Sequence, residues 1–313
     1  NFGSGSFHSH SGIPQCTYAD TGPLPYLGTL SRMTAKPEGI PGVKELHTFQ
    51  RAPNHTVVDI FIREKGLGSE YFDKVEVWMN LDAEDNRNEK NLGMNPQGSI
   101  PWFVMEDGNT LAETIAMCEY VEEVLPEPPL IGTTPLQRGI VRQWQRRMEE
   151  HYCYPAFYGH RFWTQSEDCP ADHFMKNFFE DRLDKKGGAK VIPHAWKDLC
   201  EWAVNRIDWL ERVKQKEAEV KGKASDYIAG DFFSLVDIQV YVVIRFFEKE
   251  FPFPPQPIMA NIKGKSPWVE AWYARCDARP SCIAAWEDRE KDLANNKTEP
   301  KKHVERLKRK AEA

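Results

Sequence analysis

The stretch Asn95-Pro96-Gln97-Gly98-Ser99-Ile100-Pro101 carries more chemical information than any other in the chain. A proline at a strand entry is tolerated only where no N–H is needed, and X-Pro bonds are where a cis peptide costs little. A cis bond at Ile100-Pro101 turns the main chain of Ile100 outward, so that its N–H and C=O can pair with an extended peptide ligand as an added strand would. An ordinary turn before a strand is the plain alternative. Further on, Glu113-Thr114 stands at a helix start, where a free N–H, a hydroxyl and the positive helix end suit a carboxylate. Glu113 itself suits an ammonium group, so an amino acid moiety fits the pair; helix capping by Thr114 beside a solvated Glu113 is the alternative. His8, His10, His151, His160, His173 and His194 show no metal-ligand spacing with cysteine or carboxylate partners, and no metal is expected.

These residues need elements to hold them. Val43 to Phe49 reads as a strand and Thr56 to Lys65 as a helix closed by Gly66. Val75, Val77, Met79 and Leu81 alternate with more polar residues, the two-residue period of a half-buried strand. Ile100 to Met105 and Thr110 to Ala112 flank Glu106-Asp107-Gly108-Asn109, and Asp-Gly between apolar runs signals a hairpin. With a helix carrying Met117, Val121, Val124 and Leu125 on one face, the unit is β-α-β-β-α over residues 44–125. Pro126, Pro128, Pro129, Gly132 and Pro135 mark a linker over 126–135.

Everything beyond the linker reads helical, over 136–290. Helices are expected over Leu136–Tyr152 and Trp196–Lys216, along the stripe Val236, Val240, Val243, Ile244 and Phe247, and last over Trp268–Cys276. Ser234 with Asp237 three residues on is a capping pair, flanked by a Phe233–Ile238 staple. Residues 159–193 are poorly periodic and read as an insertion. Residues 1–43 are rich in Gly, Ser, Pro and His and cannot build a core, and 291–313 form a charged tail.

The whole chain has 313 residues, is 41% hydrophobic and has a net charge of −6, which fits a globular protein and argues against nucleic acid as the main partner. No apolar run approaches the roughly 20 residues that cross a bilayer, so an integral membrane protein is not expected. Seven cysteines, odd in number and without a Cys-x-x-Cys pair, fit a reducing intracellular compartment better than secretion. Residue 1 is Asn rather than Met, which leaves room for a removed transit peptide. A cytoplasmic site and an organellar one (mitochondrion or plastid) are both open.

The order Glu64-Lys65-Gly66-Leu67, Asn95 to Pro101, Leu111-Ala112-Glu113-Thr114, Tyr227-Ile228-Ala229-Gly230 and Ser234-Leu235-Val236-Asp237-Ile238 resembles the soluble glutathione transferase superfamily, over about residues 43–288. Asn-Pro-Gln-Gly, Cys118 to Glu123 and Glu150-His151-Tyr152-Cys153-Tyr154 resemble its bacterial β-aryl etherase branch. The resemblance implies a thioredoxin-like N-terminal domain followed by an all-helical C-terminal domain. It implies that Ile100 and Pro101 bind the cysteinyl part of glutathione, and Glu113 with Thr114 its γ-glutamyl part. The family places a Tyr, Ser or Cys at the end of the first strand or the start of the first helix to activate the thiol. Here Ala52 stands before Pro53, where cysteine-using members have their nucleophile, and Asn54 and His55 are left as catalytic candidates. Asn54 matches the etherase-like Asn-Ser pair, His55 replaces the serine, and a first-turn surface role for His55 is the alternative. Tyr152, Tyr154 and Tyr158, with Phe157, Phe162 and Trp163, fall where an apolar second substrate would sit, or else belong to the core.

Two functions follow. One is a glutathione-dependent transferase, etherase or reductive lyase acting on an apolar electrophile, with a homodimer admitted. The other is a catalytically degenerate accessory subunit of a larger assembly, held to its protein partners through residues 1–43 and 291–313.

Overall fold

Strand β1 (Val43–Thr48) is the hub of the sheet, and its neighbours define the topology. The computed structural model describes residues 37–49, 52–79, 85–171, 173, 176, 192–250 and 258–295. Most of the expected arm, much of the insertion and the end of the tail therefore lie outside the described residues. The sheet order is β2-β1-β3-β4, with β2 (Glu76–Trp78) parallel to β1. Strands β3 (Trp102–Met105) and β4 (Thr110–Ala112) form the expected antiparallel hairpin, with β3 also antiparallel to β1. Gly108 at φ 86° supplies the left-handed turn residue the hairpin needs.

Helix α1 (Pro53–Glu64) starts with proline at its first turn, where the missing N–H costs nothing, and buries every side chain from His55 to Ile62. Two helices of the N-terminal unit escaped the sequence reading. Helix α2 (Ser69–Val75) takes Val75 into its last turn, so the alternating run yields only a three-residue strand and Leu81 lies outside the described residues. Helix α3 (Glu89–Met94) is short and is started by the Asn88 side chain, which accepts from the Asn91 N–H at 2.9 Å.

Helix α4 (Thr114–Val124) closes the β-α-β-β-α unit, and the linker leads into α5 (Pro135–Met148), started by a Thr134–Gln137 capping box. The expected helix to Tyr152 is instead broken at Met148 by a π-helical turn, Glu149–Cys153, before α6 (Tyr154–Trp163). Pro155 explains the break, since it has no N–H to continue the i→i−4 ladder. Helices α7 (Trp196–Lys221), α8 (Leu235–Arg245), α9 (Ile258–Ile262) and α10 (Pro267–Asp277) follow. Asp237 is wholly buried and accepts from the N–H groups of Ile228 and Ser234, the Ser234 hydroxyl and the Trp272 indole.

The chain then adds α11 (Pro280–Asn295), where the sequence reading ended its last helix ahead of Pro280. Proline there is the first residue of a new helix, whose buried positions include Ser281, Cys282, Ala285, Trp286 and Arg289. One continuous hydrophobic cluster runs from Leu46, Phe61 and Phe103 to Tyr241 and Trp272, with α1 packed against α4, α8 and α11.

Candidate functional site at the end of the sheet

Three chain ends meet at one edge of the sheet. Continuing the printed registers, Pro101 falls beside Thr48 of β1 on one side and Glu113 on the other. The Ile100-Pro101 bond is cis, as the motif led us to expect. Among the described residues, neither the N–H nor the C=O of Ile100 makes a hydrogen bond. An unpaired main-chain donor and acceptor at a sheet edge is what an extended peptide ligand can complete.

The loop ahead of Pro101 is held by side chains that the sequence reading did not weigh. Asn95 Nδ2 donates to the Ser99 carbonyl at 2.8 Å, and Asn86 Nδ2 to the Gly98 carbonyl at 2.6 Å. Gly98 sits at φ 59°, and a Cβ there would meet the Asn86 carbonyl, Leu92 and Arg87 at 3.2 Å. Arg87 thus lies against the loop, and among the described residues its guanidinium has no ion pair and its Nε no hydrogen-bond acceptor. No local pattern flags Asn86 or Arg87, because the strand-side motif and the turn that braces it are separated in sequence.

Across the sheet edge, Glu113 holds φ 71°, the only left-handed non-glycine among the described residues. Such a strained residue persists only where the surroundings over-determine it. Thr114 does not cap α4; its hydroxyl and the Glu113 carboxylate have no hydrogen-bond partner among the described residues. Capping by Thr114 therefore fails, while Glu113 is exposed to solvent, and a free hydroxyl and carboxylate stand at a helix start.

At the start of α1 the two candidates part. Asn54 is exposed, and its amide makes no hydrogen bond among the described residues. His55 is 3% exposed, with Nδ1 2.6 Å from the Thr48 hydroxyl and Nε2 3.7 Å from Glu76 Oε1. Burial, with Arg289 and Arg63 nearby, drops its pKa to about 3, so the ring is neutral at physiological pH. His55 faces the sheet and not the edge, which corrects its reading as a direct donor to a ligand and also the surface alternative. Each described cysteine is buried, with its thiol pushed up by burial, and none lies at the α1 start.

Of the three tyrosines expected to line a second-substrate pocket, Tyr154 and Tyr158 reach the surface and Tyr152 does not. Tyr154 is 48% exposed; burial raises its phenol, and Glu149 and Glu113 add to the shift, so it lies within electrostatic reach of the α4 start. Tyr158 is half-buried beside Phe162, under the Arg161 guanidinium. Tyr152, within the π turn, is fully buried in the helical core, which removes it from the pocket set.

Residues 46–129 match the family model of the glutathione S-transferase N-terminal domain. The chain is 25% identical over 236 residues to Glutathione S-transferase 2 of Saccharomyces cerevisiae, covering 75% of this chain and 85% of the yeast protein. By these matches the chain resembles the glutathione transferase superfamily. Protein LigF of Sphingobium is also similar to this glutathione transferase-like chain, at 23% identity over 269 residues, 82% of this chain and 98% of LigF. A solved glutathione S-transferase domain-containing protein of Marinobacter aquaeolei shares the fold, with TM-score 0.60 and 22% identity over 76% of this chain and 99% of its own. The thioredoxin-like and all-helical halves are those of the family.

Proposed function

We propose that this transferase-fold protein binds glutathione at the sheet edge and activates its thiol through Asn54. The observation that carries the reading is the convergence of unsatisfied groups: the Ile100 main chain, the Glu113 carboxylate, the Thr114 hydroxyl and the Asn54 amide. Ile100 with Pro101 takes the cysteinyl part, Glu113 and Thr114 take the charged ends of the γ-glutamyl part, and Arg87 suits the glycyl carboxylate. An amide N–H from Asn54, together with the open N-terminus of α1, favours thiolate over thiol. His55 supports this from behind by tying the end of β1 to the first turn of α1. Tyr154 and Tyr158 offer a surface for an apolar electrophile.

Calorimetric titration with glutathione and a turnover assay with a generic electrophile test this reading. Asn54→Ala should cut kcat by about 10²-fold while leaving glutathione affinity within about threefold, as expected for a donor that acts on developing charge. Absence of glutathione binding by the parent protein would overturn it.

A second reading rests on a specific observation: no exposed hydroxyl or thiol occupies the α1 start, since the Thr56 hydroxyl is buried and donates to the Ala52 carbonyl, and His55 is turned inward. On that reading the protein is an accessory subunit that keeps the fold without turnover, held through residues 1–43 and 291–313. Binding without turnover in the same assays, together with release from a large assembly on deleting residues 1–43, supports it.

A further inference from the structure

Behind the loop that carries Ile100 stands a brace of asparagines. Asn86, Asn88, Asn91 and Asn95 fall close together in the chain, and Asn86, Asn91 and Asn95 are each at least nine-tenths buried. Their carboxamides hold main chain. Asn86 Nδ2 donates to the Gly98 carbonyl at 2.6 Å, Asn91 Nδ2 to the Asp85 carbonyl at 2.7 Å and Asn95 Nδ2 to the Ser99 carbonyl at 2.8 Å, while Asn88 starts α3. These bonds tie three pieces into one body: the 3₁₀ turn Asp85–Arg87, α3, and the loop that ends at the cis bond. Buried amide–carbonyl bonds fix geometry because breaking one strands a donor away from water.

Asn86 makes the bond that crosses from the turn to the loop. Its amide fixes Gly98, two residues ahead of Ile100, and the stem of the next residue, Arg87, lies against the same glycine. The reach from the Ile100 main chain to Arg87 is thus set by bonds within the protein before any ligand arrives. Two polar atoms at this end are left over. Among the described residues, Asn86 Oδ1 and Arg87 Nε are buried and have no hydrogen-bond partner. An open acceptor and an open donor on consecutive residues match what a C-terminal amino acid residue brings, an amide N–H and a carboxylate. We propose that Asn86, backed by Asn91 and Asn95, is a positioning residue that holds Arg87 at the reach of a carboxylate one glycine beyond the cysteinyl residue. The site then selects glutathione over thiol peptides that end shorter or longer. This inference rests on the glutathione reading and adds to it the basis of ligand choice. A loosely held Arg87 would follow a carboxylate to either position, whereas a braced one cannot move without leaving the Asn86 amide unpaired.

The test is calorimetric titration of the full chain with glutathione, with γ-glutamylcysteine, which lacks the last residue, and with γ-glutamylcysteinyl-β-alanine, which is longer by a methylene. The parent should bind glutathione about tenfold more tightly than either of the others, the discrimination that a misplaced or missing group brings. Asn86→Ala should weaken glutathione until it binds within about twofold of the β-alanyl peptide, and should leave γ-glutamylcysteine within about twofold of its parent value. Asn91→Ala loosens the same turn from the α3 side and should shift the ratio in the same direction. A merely structural role would weaken all of these peptides alike, and circular dichroism and melting temperature register any loss of folding separately. The proposal is overturned if the parent binds the glycyl and β-alanyl peptides equally, if Asn86→Ala keeps the parent's ratio, or if both variants lose γ-glutamylcysteine as severely as glutathione. A parent that binds none of the peptides overturns the glutathione reading itself and this inference with it, a result distinct from binding without selection.

Discussion

His55 shows how one side chain can be withdrawn from chemistry and still shape it. Its imidazole is neutral because burial between Thr48 and Glu76 penalises the charged ring, with a pKa near 3 against 6.5 for the free side chain. The unfolded chain takes up a proton as pH falls below 6.5 and the folded chain does not, so stability is lost as pH falls through that window toward 3. The loss is about 1.4 kcal/mol per pH unit for each such histidine. His160 is held down to about 3 by burial in the same way, so it adds a second, equal slope. His55→Asn can still accept from or donate to Thr48 but carries no titration. Urea midpoints measured at pH 6.5 and 5 should therefore fall less steeply in His55→Asn than in the parent. Equal slopes would mean that His55 is protonated in the native protein.

At the scale of elements, α1 serves both halves, and α11 is strapped to it by charge. Arg63 donates to Asp59 at 2.5 Å and to Asp288 of α11 at 2.7 Å. Arg279 reaches Glu64 with Nε and Nη2 at 2.8 and 2.6 Å, and the Ser281 hydroxyl donates to the same carboxylate. Glu64 and Arg63 are about nine-tenths buried, so these are not the screened surface pairs that contribute little. Arg279→Ala leaves the Glu64 carboxylate without its bidentate partner, and chemical denaturation should show a loss of about 2 to 3 kcal/mol. Glu64→Gln, which keeps hydrogen bonding and removes the charge, should cost less than Arg279→Ala. A Glu64→Gln variant as stable as the parent would instead place the stabilisation in packing of the Arg279 guanidinium over the Phe233 ring, 4.0 Å away.

For the molecule as a whole, the joint between the halves is a buried lysine. Lys65 is 2% exposed and donates to Glu122 Oε2 at 2.5 Å and to the Pro128 carbonyl at 2.6 Å. Glu122 in turn accepts from the Leu130 and Ile131 N–H groups of the linker. Beyond this joint, α1 buries side chains against α8 and α11, so the thioredoxin-like half does not own all of its core. Residues 37–134 expressed alone should expose that face and lose cooperative unfolding, seen as a broad thermal transition with dye binding. A sharp two-state transition for the fragment would show that its own core suffices.

Much of this was written in local order. The hairpin around Asp107-Gly108, the proline before β3, the Ser234–Asp237 cap and the linker prolines are set by turn chemistry and by periodicity over a few residues, and each is legible from neighbours alone. Short elements escaped because their signals were overridden or ambiguous: α2 shares its last residue with an apparent strand, and Pro280 reads equally as a stop or a start. Of the site, the sequence set the Ile100-Pro101 and Glu113-Thr114 motifs, since these depend on backbone geometry that particular residue types permit. The tertiary structure alone decided which way side chains point. His55 and Asn54 are adjacent in sequence, yet one faces the sheet and the other the solvent, and the π turn at Glu149–Cys153 leaves Tyr152 in the core and Tyr154 at the surface. The ring contact of Trp144 with Trp209 likewise joins helices far apart in sequence, because burial and cross-element contact depend on which surfaces meet and not on the order of residues along the chain.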